Sequence, residues 1–174
     1  MIILQRRIYR QEVARNKWAT YVYGDNDLRE GYGGQAAAMR GLPNTIGIRT
    51  KKAPGVKPED YYTDDEFEAN KAKIQEDLDT LSSALLAGKL IIMPWDGVGT
   101  GRAFLRTKAP KTFAFLNNAL VNLVNEYANE DLPKASTFRC INDNTHTVIP
   151  LNPDEDTLDD WCSFMSALIR ADGS

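Results

Sequence analysis

The sequence has few of the residues that build metal sites and disulfide scaffolds. Its 174 residues include two cysteines and one histidine, too few for a disulfide framework or, without help from carboxylates, for a four-ligand zinc site. The longest apolar runs, around 90–95 and 120–124, fall far short of the roughly 20 residues that span a bilayer. The N-terminus lacks the segment order of a signal peptide. We therefore expect a cytoplasmic protein without a metal, a cofactor or a membrane partner.

The composition is that of a folded globular protein. Hydrophobic residues make up 43% of the chain and charged residues 26%, which argues against disordered, collagen-like and coiled-coil classes. A chain of this length buries about two thirds of its unfolded surface. Because no repeat, low-complexity tract or linker divides the sequence, we expect a single domain over residues 1–174.

Positive charge is concentrated in two stretches, although the net charge is −3. Residues 35–58 contain five basic side chains and residues 97–111 contain four, and neither stretch contains an acidic residue. If the two stretches meet in space, they form a basic surface on an acidic body. The alternative is that they are two unrelated solvated loops.

Strand and helix patterns alternate along the chain. Strands are predicted at 2–9, 19–23, 45–48, 89–94, 137–141 and 147–149, and helices at 35–40, 63–86, 110–127 and 158–169. The 63–86 helix has apolar residues on one face, and Thr63 with Glu66 reads as a capping box at its start. The alternation predicts a layered α/β domain with a mixed sheet.

Two glycine-rich loops each follow a predicted strand. One contains Gly31, Gly33 and Gly34, and the other runs from Gly97 to Gly101. Ligands of α/β sheets bind beyond the carboxyl ends of strands, and closely spaced backbone N–H groups suit phosphate oxygens. Neither loop has P-loop or dinucleotide-fold spacing. A diphosphate site is one interpretation, and two ordinary tight turns are the other.

Polar side chains beside these loops are candidates for chemistry. Asn26 can contact ribose hydroxyls, and Asp25 or Asp27 can act as a base in a partly desolvated site; the alternative is an Asx turn. Lys51 follows a further strand and is either a nucleophile, an electrostatic clamp or a solvated lysine. Asp96 stands at the lip of the second loop.

The order of these motifs resembles the macrodomain superfamily of ADP-ribose-binding and ADP-ribosyl-hydrolysing modules. The motifs are Gly24-Asp-Asn, Gly31-Tyr-Gly-Gly-Gln-Ala, Ile48-Arg-Thr-Lys and Ile92-Met-Pro-Trp-Asp-Gly-Val-Gly-Thr-Gly. The series is most similar to the branch with the antitoxin DarG and terminal ADP-ribose glycohydrolases, and to small macrodomain-like phage proteins. The resemblance covers residues 19–127 and implies a three-layer α/β/α sandwich.

The resemblance also implies a site and a function. Lys51, Asp25 and Asp96 would be catalytic, with Lys51 at the anomeric carbon, and the ligand would be bound by Asn26, Gly31, Gly33, Gly34, Gln35, Thr50, Gly97, Val98, Gly99, Thr100 and Gly101. The expected function is binding of ADP-ribose or a related nucleotide and hydrolysis of an ADP-ribosyl linkage on nucleic acid or protein. The alternative is a phage anti-defence protein, acting in the host cytoplasm, that sequesters a cyclic ADP-ribose-like signal without catalysis. A structural or interaction domain is the third option.

Overall fold

A computed structural model describes residues 2–5, 7–94, 96–126, 136–142 and 145–151. The strands are β1 (Ile2–Gln5), β2 (Ala19–Asp25), β3 (Thr45–Arg49), β4 (Leu90–Pro94), β5 (Ser136–Asn142) and β6 (Thr145–Leu151). The helices are α1 (Arg10–Arg15), α2 (Ala36–Met39), α3 (Phe67–Leu86), α4 (Leu105–Lys108) and α5 (Pro110–Glu126). The protein is an α/β protein, as the alternating pattern predicts.

The six strands form one mixed sheet in the order β3-β2-β4-β1-β5-β6. The first five strands of this order are parallel to their neighbours, and β6 runs antiparallel to β5. In register, Tyr21 of β2 lies opposite Ile92 of β4 on one side and Thr45 of β3 on the other. The carboxyl ends of β2, β3 and β4 therefore lie at the same edge of the sheet.

Both faces of the central strands are buried, which explains their near-continuous apolar sequence. Val22 of β2 and Ile91 of β4 pack into a core with α3, α4 and α5. Tyr21 and Ile92, the next residues along the same strands, pack into a second core with α1 and α2. Because successive side chains of a strand point to opposite faces, helices cover β2 and β4 on both sides.

The edge strand β3 is closed by side chains rather than by another strand. Arg29 donates to the Gly47 carbonyl at 2.7 Å, and the Arg49 N–H donates to an Asp77 carboxylate oxygen at 2.7 Å. These bonds satisfy backbone groups that point away from β2. An unpaired edge is a template for pairing with another chain, so these side chains protect this edge.

Three local predictions differ from the structure. The predicted strand 2–9 ends at Gln5 and is followed by α1, whose only buried residue is Val13, so that no helical periodicity is visible. The predicted capping box is wrong: Thr63 makes no side-chain cap, and a short 3-10 turn, Asp64–Glu66, precedes α3. Helix α4 is a single turn that was not predicted. The predicted helix at 158–169 lies outside the described residues.

Candidate functional site

The connections of the chain diverge at the boundary between β2 and β4. From β2 the chain passes through α2, on one face, to β3; from β4 it passes through α4 and α5, on the other face, to β5. Connections that leave neighbouring parallel strands in opposite directions open a crevice at their carboxyl ends, where α/β proteins bind ligands. Both glycine loops begin at this crevice.

The side chain of Gln35 joins the two glycine loops. Its Oε1 accepts the Gly24 N–H at 2.9 Å, while its Nε2 donates to the Gly97 carbonyl at 3.0 Å and to Asp96 Oδ1 at 3.3 Å. A Cβ at Gly24 would lie 3.5 Å from the Gly99 nitrogen. The loops after β2 and β4 are therefore in contact.

Two adjoining cavities, of about 250 and 170 Å³, lie along these loops. Gly24, Gly33, Thr50, Arg102 and Ala103 line both cavities, so the two form one cleft. Of the predicted residues, the larger cavity is also lined by Asp25, Asn26, Gly31 and Lys51, and the smaller by Gly34, Gln35, Asp96, Gly99 and Gly101. Gly97, Val98 and Thr100 are not among the lining residues. The Val98 side chain packs in the core instead.

Two glycines of this cleft leave space for neighbouring side chains, and one of them also has a positive φ. Gly99 has a φ of +84°, and a Cβ there would meet Leu105 and Thr50 at 3.1 and 3.2 Å. Gly33 has no such backbone restriction, but its missing Cβ leaves room for Arg102, whose Nη1 would lie 2.9 Å from it. The N–H groups of Gly33, Gly99 and Gly101 have no acceptor within the described part of the chain.

Lys51 is held at the floor of the larger cavity. The residue is 7% exposed, its ammonium donates to the Gly55 carbonyl, and its Nζ lies 4.2 Å from the centroid of the Tyr61 ring. Burial is the main cause that lowers the pKa of Lys51; Asp60 opposes this, and Arg102 and Lys108 lower the pKa further. A lysine in this environment loses its proton more readily than a solvated one.

Asp25 is buried and fully paired, which sequence reasoning did not predict. One carboxylate oxygen accepts from Arg40 and from the Asn26 N–H, and the other accepts from Arg29 at 3.0 Å and from Tyr23 at 3.2 Å. Burial and the nearby carboxylate raise the pKa of Tyr23 to about 12. With every partner position filled, Asp25 is placed to organise the cavity wall rather than to exchange protons.

The side chains of Asn26 and Asp27 also bond within the protein. Asn26 Nδ2 donates to the Glu30 carbonyl at 2.8 Å and its Oδ1 accepts the Glu30 N–H at 3.4 Å. Asp27 accepts from Tyr62 and, at 2.6 Å, from Lys73. Asn26 thus closes the loop that carries it, through bonds to a residue four positions on rather than the two of an Asx turn.

Asp96 lies at the opposite end of the cleft from Lys51. The residue is exposed as a whole, yet local burial of its carboxyl group raises the pKa of Asp96, against the hydrogen bonds from its own N–H and from Gln35, which lower it. Thr100 donates its hydroxyl to the Asp96 carbonyl and so fixes the loop. A carboxyl group with a raised pKa is suited to proton donation.

Several lining residues were not singled out from the sequence. Arg40 comes from the first basic stretch and Arg102 from the second, so these two stretches do meet at the larger cavity. Tyr61, Phe104 and Val56 add an apolar wall, with Phe104 51% exposed and 6.1 Å from Tyr61 between ring centroids. The two basic stretches of the sequence were the signal from which the arginines of the cleft could have been predicted. No local sequence pattern indicates the apolar wall.

Comparison with known proteins places the chain in a family. The model of a family of unknown function, DUF7831, matches residues 3–119. The chain belongs to this family. The matched range contains β1 except its first residue, β2 to β4, and all the residues that line the cleft. Searches of curated proteins and of solved structures gave no match.

Across the described ranges, no helix combines the length and the apolar character needed to cross a membrane. Within those same ranges, no three or more His, Cys, Asp or Glu side chains are grouped so that they could hold a metal ion.

Proposed function

We propose that this protein binds ADP-ribose or a related nucleotide in the cleft between the two glycine loops and hydrolyses an ADP-ribosyl linkage on nucleic acid or protein. The observation that carries the proposal is the contact of the two loops, through Gln35, at the β2–β4 crevice. We propose in addition that the fold is a macrodomain-like three-layer α/β/α sandwich. Sequestration of a nucleotide would use the same contact, whereas a structural or interaction domain would not.

The unpaired backbone N–H groups support binding of a diphosphate. Gly33 belongs to one loop, Gly99 and Gly101 belong to the other, and all three line the smaller cavity. N–H groups arranged in this way bind phosphate oxygens without a counter-charged side chain. Arg102 lines both cavities and supplies positive charge beside them.

Lys51 and Asp96 are the side chains we propose for catalysis. Cleavage at the anomeric carbon develops positive charge on the ribose, and a carboxylate can stabilise this charge or a carboxyl group can protonate the leaving atom. Among the described residues, Asp96 accepts a single side-chain hydrogen bond, from Gln35, whereas Asp25 is occupied by two arginines. Lys51 acts as the nucleophile or as a clamp on the bound ligand.

The test is turnover of ADP-ribosylated substrates. Wild-type protein is incubated with a mono-ADP-ribosylated oligonucleotide and, separately, with a mono-ADP-ribosylated protein, and released ADP-ribose is measured by mass spectrometry. Lys51→Ala and Asp96→Asn are expected to abolish release, and Lys89→Gln, at the far end of β4, is the charge-matched control. Release at the wild-type rate by either cleft variant would remove the role assigned to that residue.

The pairing of Asp25 and Asn26 favours a second candidate function, sequestration without catalysis. Both side chains are bonded within the protein, so the larger cavity is built rigidly around whatever it holds. A phage protein that captures a cyclic ADP-ribose-like signal needs this rigidity and no turnover. Heating the complex and analysing the released ligand separates the two candidates: an intact ligand indicates sequestration, and an altered ligand indicates an enzyme.

A further inference from the structure

Lys51 and Arg102 line the larger cavity, and Lys108 shares with Lys51 a contact to the ring of Tyr61, another lining residue. Lys51 Nζ and Lys108 Nζ each lie 4.2 Å from the centroid of the Tyr61 ring, so the two ammonium groups are at most twice that distance apart. Lys51 follows β3, and Lys108 ends α4. Arg102, which lines both cavities and interacts electrostatically with Lys51, is the third cation.

These charges are not compensated by ion pairs. None of the ion pairs among the described residues includes Lys51, Arg102 or Lys108. Asp60 interacts electrostatically with Lys51, and Glu30 is an exposed residue of the cavity lining. Like charges that are held close together, one of them buried, repel one another. An anion bound among them relieves this repulsion.

The donors match the chemistry of a phosphate group. A guanidinium presents a planar fork of N–H groups to phosphate oxygens, and an ammonium acts as a compact point charge. The lowered pKa of Lys51 is partly due to Arg102 and Lys108, which agrees with a cluster that lacks a counter-ion. The aromatic ring of Tyr61 keeps both ammonium groups in place.

We infer that Lys51, Arg102 and Lys108 form an oxyanion subsite that takes a phosphate group, in addition to the diphosphate held by the glycine loops. The inference rests on the proposed function and deepens it, because it gives the bound nucleotide a second anionic group beyond its diphosphate. When such a ligand is bound, Lys51 acts as an electrostatic clamp on its second anionic group. The probe for this subsite is inorganic phosphate.

Calorimetric titration of the whole protein tests the subsite. Phosphate is titrated into the wild type alone and into the wild type saturated with ADP-ribose, and both titrations are repeated with Lys108→Gln and Lys89→Gln. Lys108 and Lys89 are both exposed, so neither variant disturbs the core. We expect phosphate to bind in the presence of ADP-ribose, with affinity reduced roughly three- to tenfold by Lys108→Gln and unchanged by Lys89→Gln.

Two results would overturn the subsite while leaving the proposed function standing. In one, ADP-ribose binds but displaces phosphate one for one, so that there is a single anion site. In the other, ADP-ribose binds and phosphate affinity is the same in Lys108→Gln as in the wild type. Phosphate binding that depends on Lys108, together with no binding of ADP-ribose, would support the subsite and remove the proposed nucleotide.

Discussion

Asp25 shows how much of this site depends on individual contacts. Its carboxylate is 4% exposed and bonded to Arg40 and Arg29, and Arg40 in turn donates to the Gly31 carbonyl at 2.7 Å. A buried carboxylate of this kind is stable only while its cationic partners are in place. The ion pairs therefore couple the end of β2 to the first glycine loop.

Gly47 of β3 is the residue that leaves space for this carboxylate. A Cβ at Gly47 would lie 2.4 Å from Asp25 Oδ2, so Gly47→Ala forces the carboxylate away from Arg29. We expect the free energy of unfolding to fall by roughly 2 to 4 kcal/mol, measured by urea denaturation. Gly101→Ala is the matched control, because its Cβ would meet nothing within 4 Å. Equal stability of the two variants would show that Asp25 has room to move.

The raised pKa of Asp96 predicts a pH-dependent effect on stability. The folded state favours the protonated carboxyl group, so its stabilising contribution is present below the ordinary value of 3.8 and is lost as pH rises through the raised value. Asp96→Asn keeps the acceptor for Gln35 but cannot ionise. We expect this variant to match the wild type near about pH 3 and to exceed it in stability at about pH 7, measured by denaturant unfolding. A difference that does not vary with pH would contradict the buried state of this carboxyl group.

For single residues, the sequence predicted which side chains lie at the cleft better than it predicted their chemical roles. Asp25, Asn26 and Lys51 were selected because they follow strands, and strand ends do form the cleft. Some partners that decide their chemistry are more distant in sequence, such as Arg40 for Asp25 and Tyr61 for Lys51. Only the folded chain brings such partners together, so their side-chain roles could not be read from local patterns.

Among the elements, α5 begins with a cap that lies far away in the sequence. Asp64 accepts the N–H groups of Lys111 and Thr112 at 2.8 and 3.0 Å and the Thr112 hydroxyl at 3.0 Å. Negative charge at a helix N-terminus is stabilising. The contact also ties the turn before α3 to the start of α5, which follows the second glycine loop and α4.

Asp64→Ala is expected to destabilise the protein by about 1 kcal/mol at neutral pH. Burial raises the pKa of Asp64, but the hydrogen bonds from Lys111 and Thr112 outweigh this and lower it below 3.8. The contribution is therefore present above the ordinary value and is lost as pH falls through the lowered one. Unfolding of both proteins over a pH series should show the deficit at neutral pH and its loss in acid. A constant deficit would indicate that the carboxylate charge is not involved.

The elements with strong periodicity were predicted well, and the short ones were not. Helix α3 buries Ile74, Leu78, Leu81 and Leu85, as its spacing predicts. Helix α1 buries a single residue, and α4 is one turn held by contacts to the glycine loop, among them the Leu105 N–H to the Gly99 carbonyl at 3.1 Å. Such elements exist because of tertiary contacts, which leave no repeating pattern in the sequence.

For the whole molecule, the strand order is the feature that positions the cleft. Alternating patterns predict an α/β sheet, but they do not predict that β4 pairs with both β1 and β2. That pairing places the two glycine loops side by side, and Gln35, Gly97 and Gly24 then meet. The order of strands in the described sheet therefore brings the two glycine loops together, and a diphosphate site between the loops requires this.

Calorimetric titration tests this account most directly. ADP-ribose is titrated into the wild type and, separately, into Gly33→Val. Gly33 lines both cavities, and a Cβ there would meet only the flexible end of Arg102, so the variant should keep the wild-type fold, with thermal unfolding as the check. We predict one-site binding to the wild type and a loss of at least about tenfold in the folded variant, since valine fills the cleft. No heat of binding with the wild type, or equal affinity for both proteins, would contradict a nucleotide site between the glycine loops.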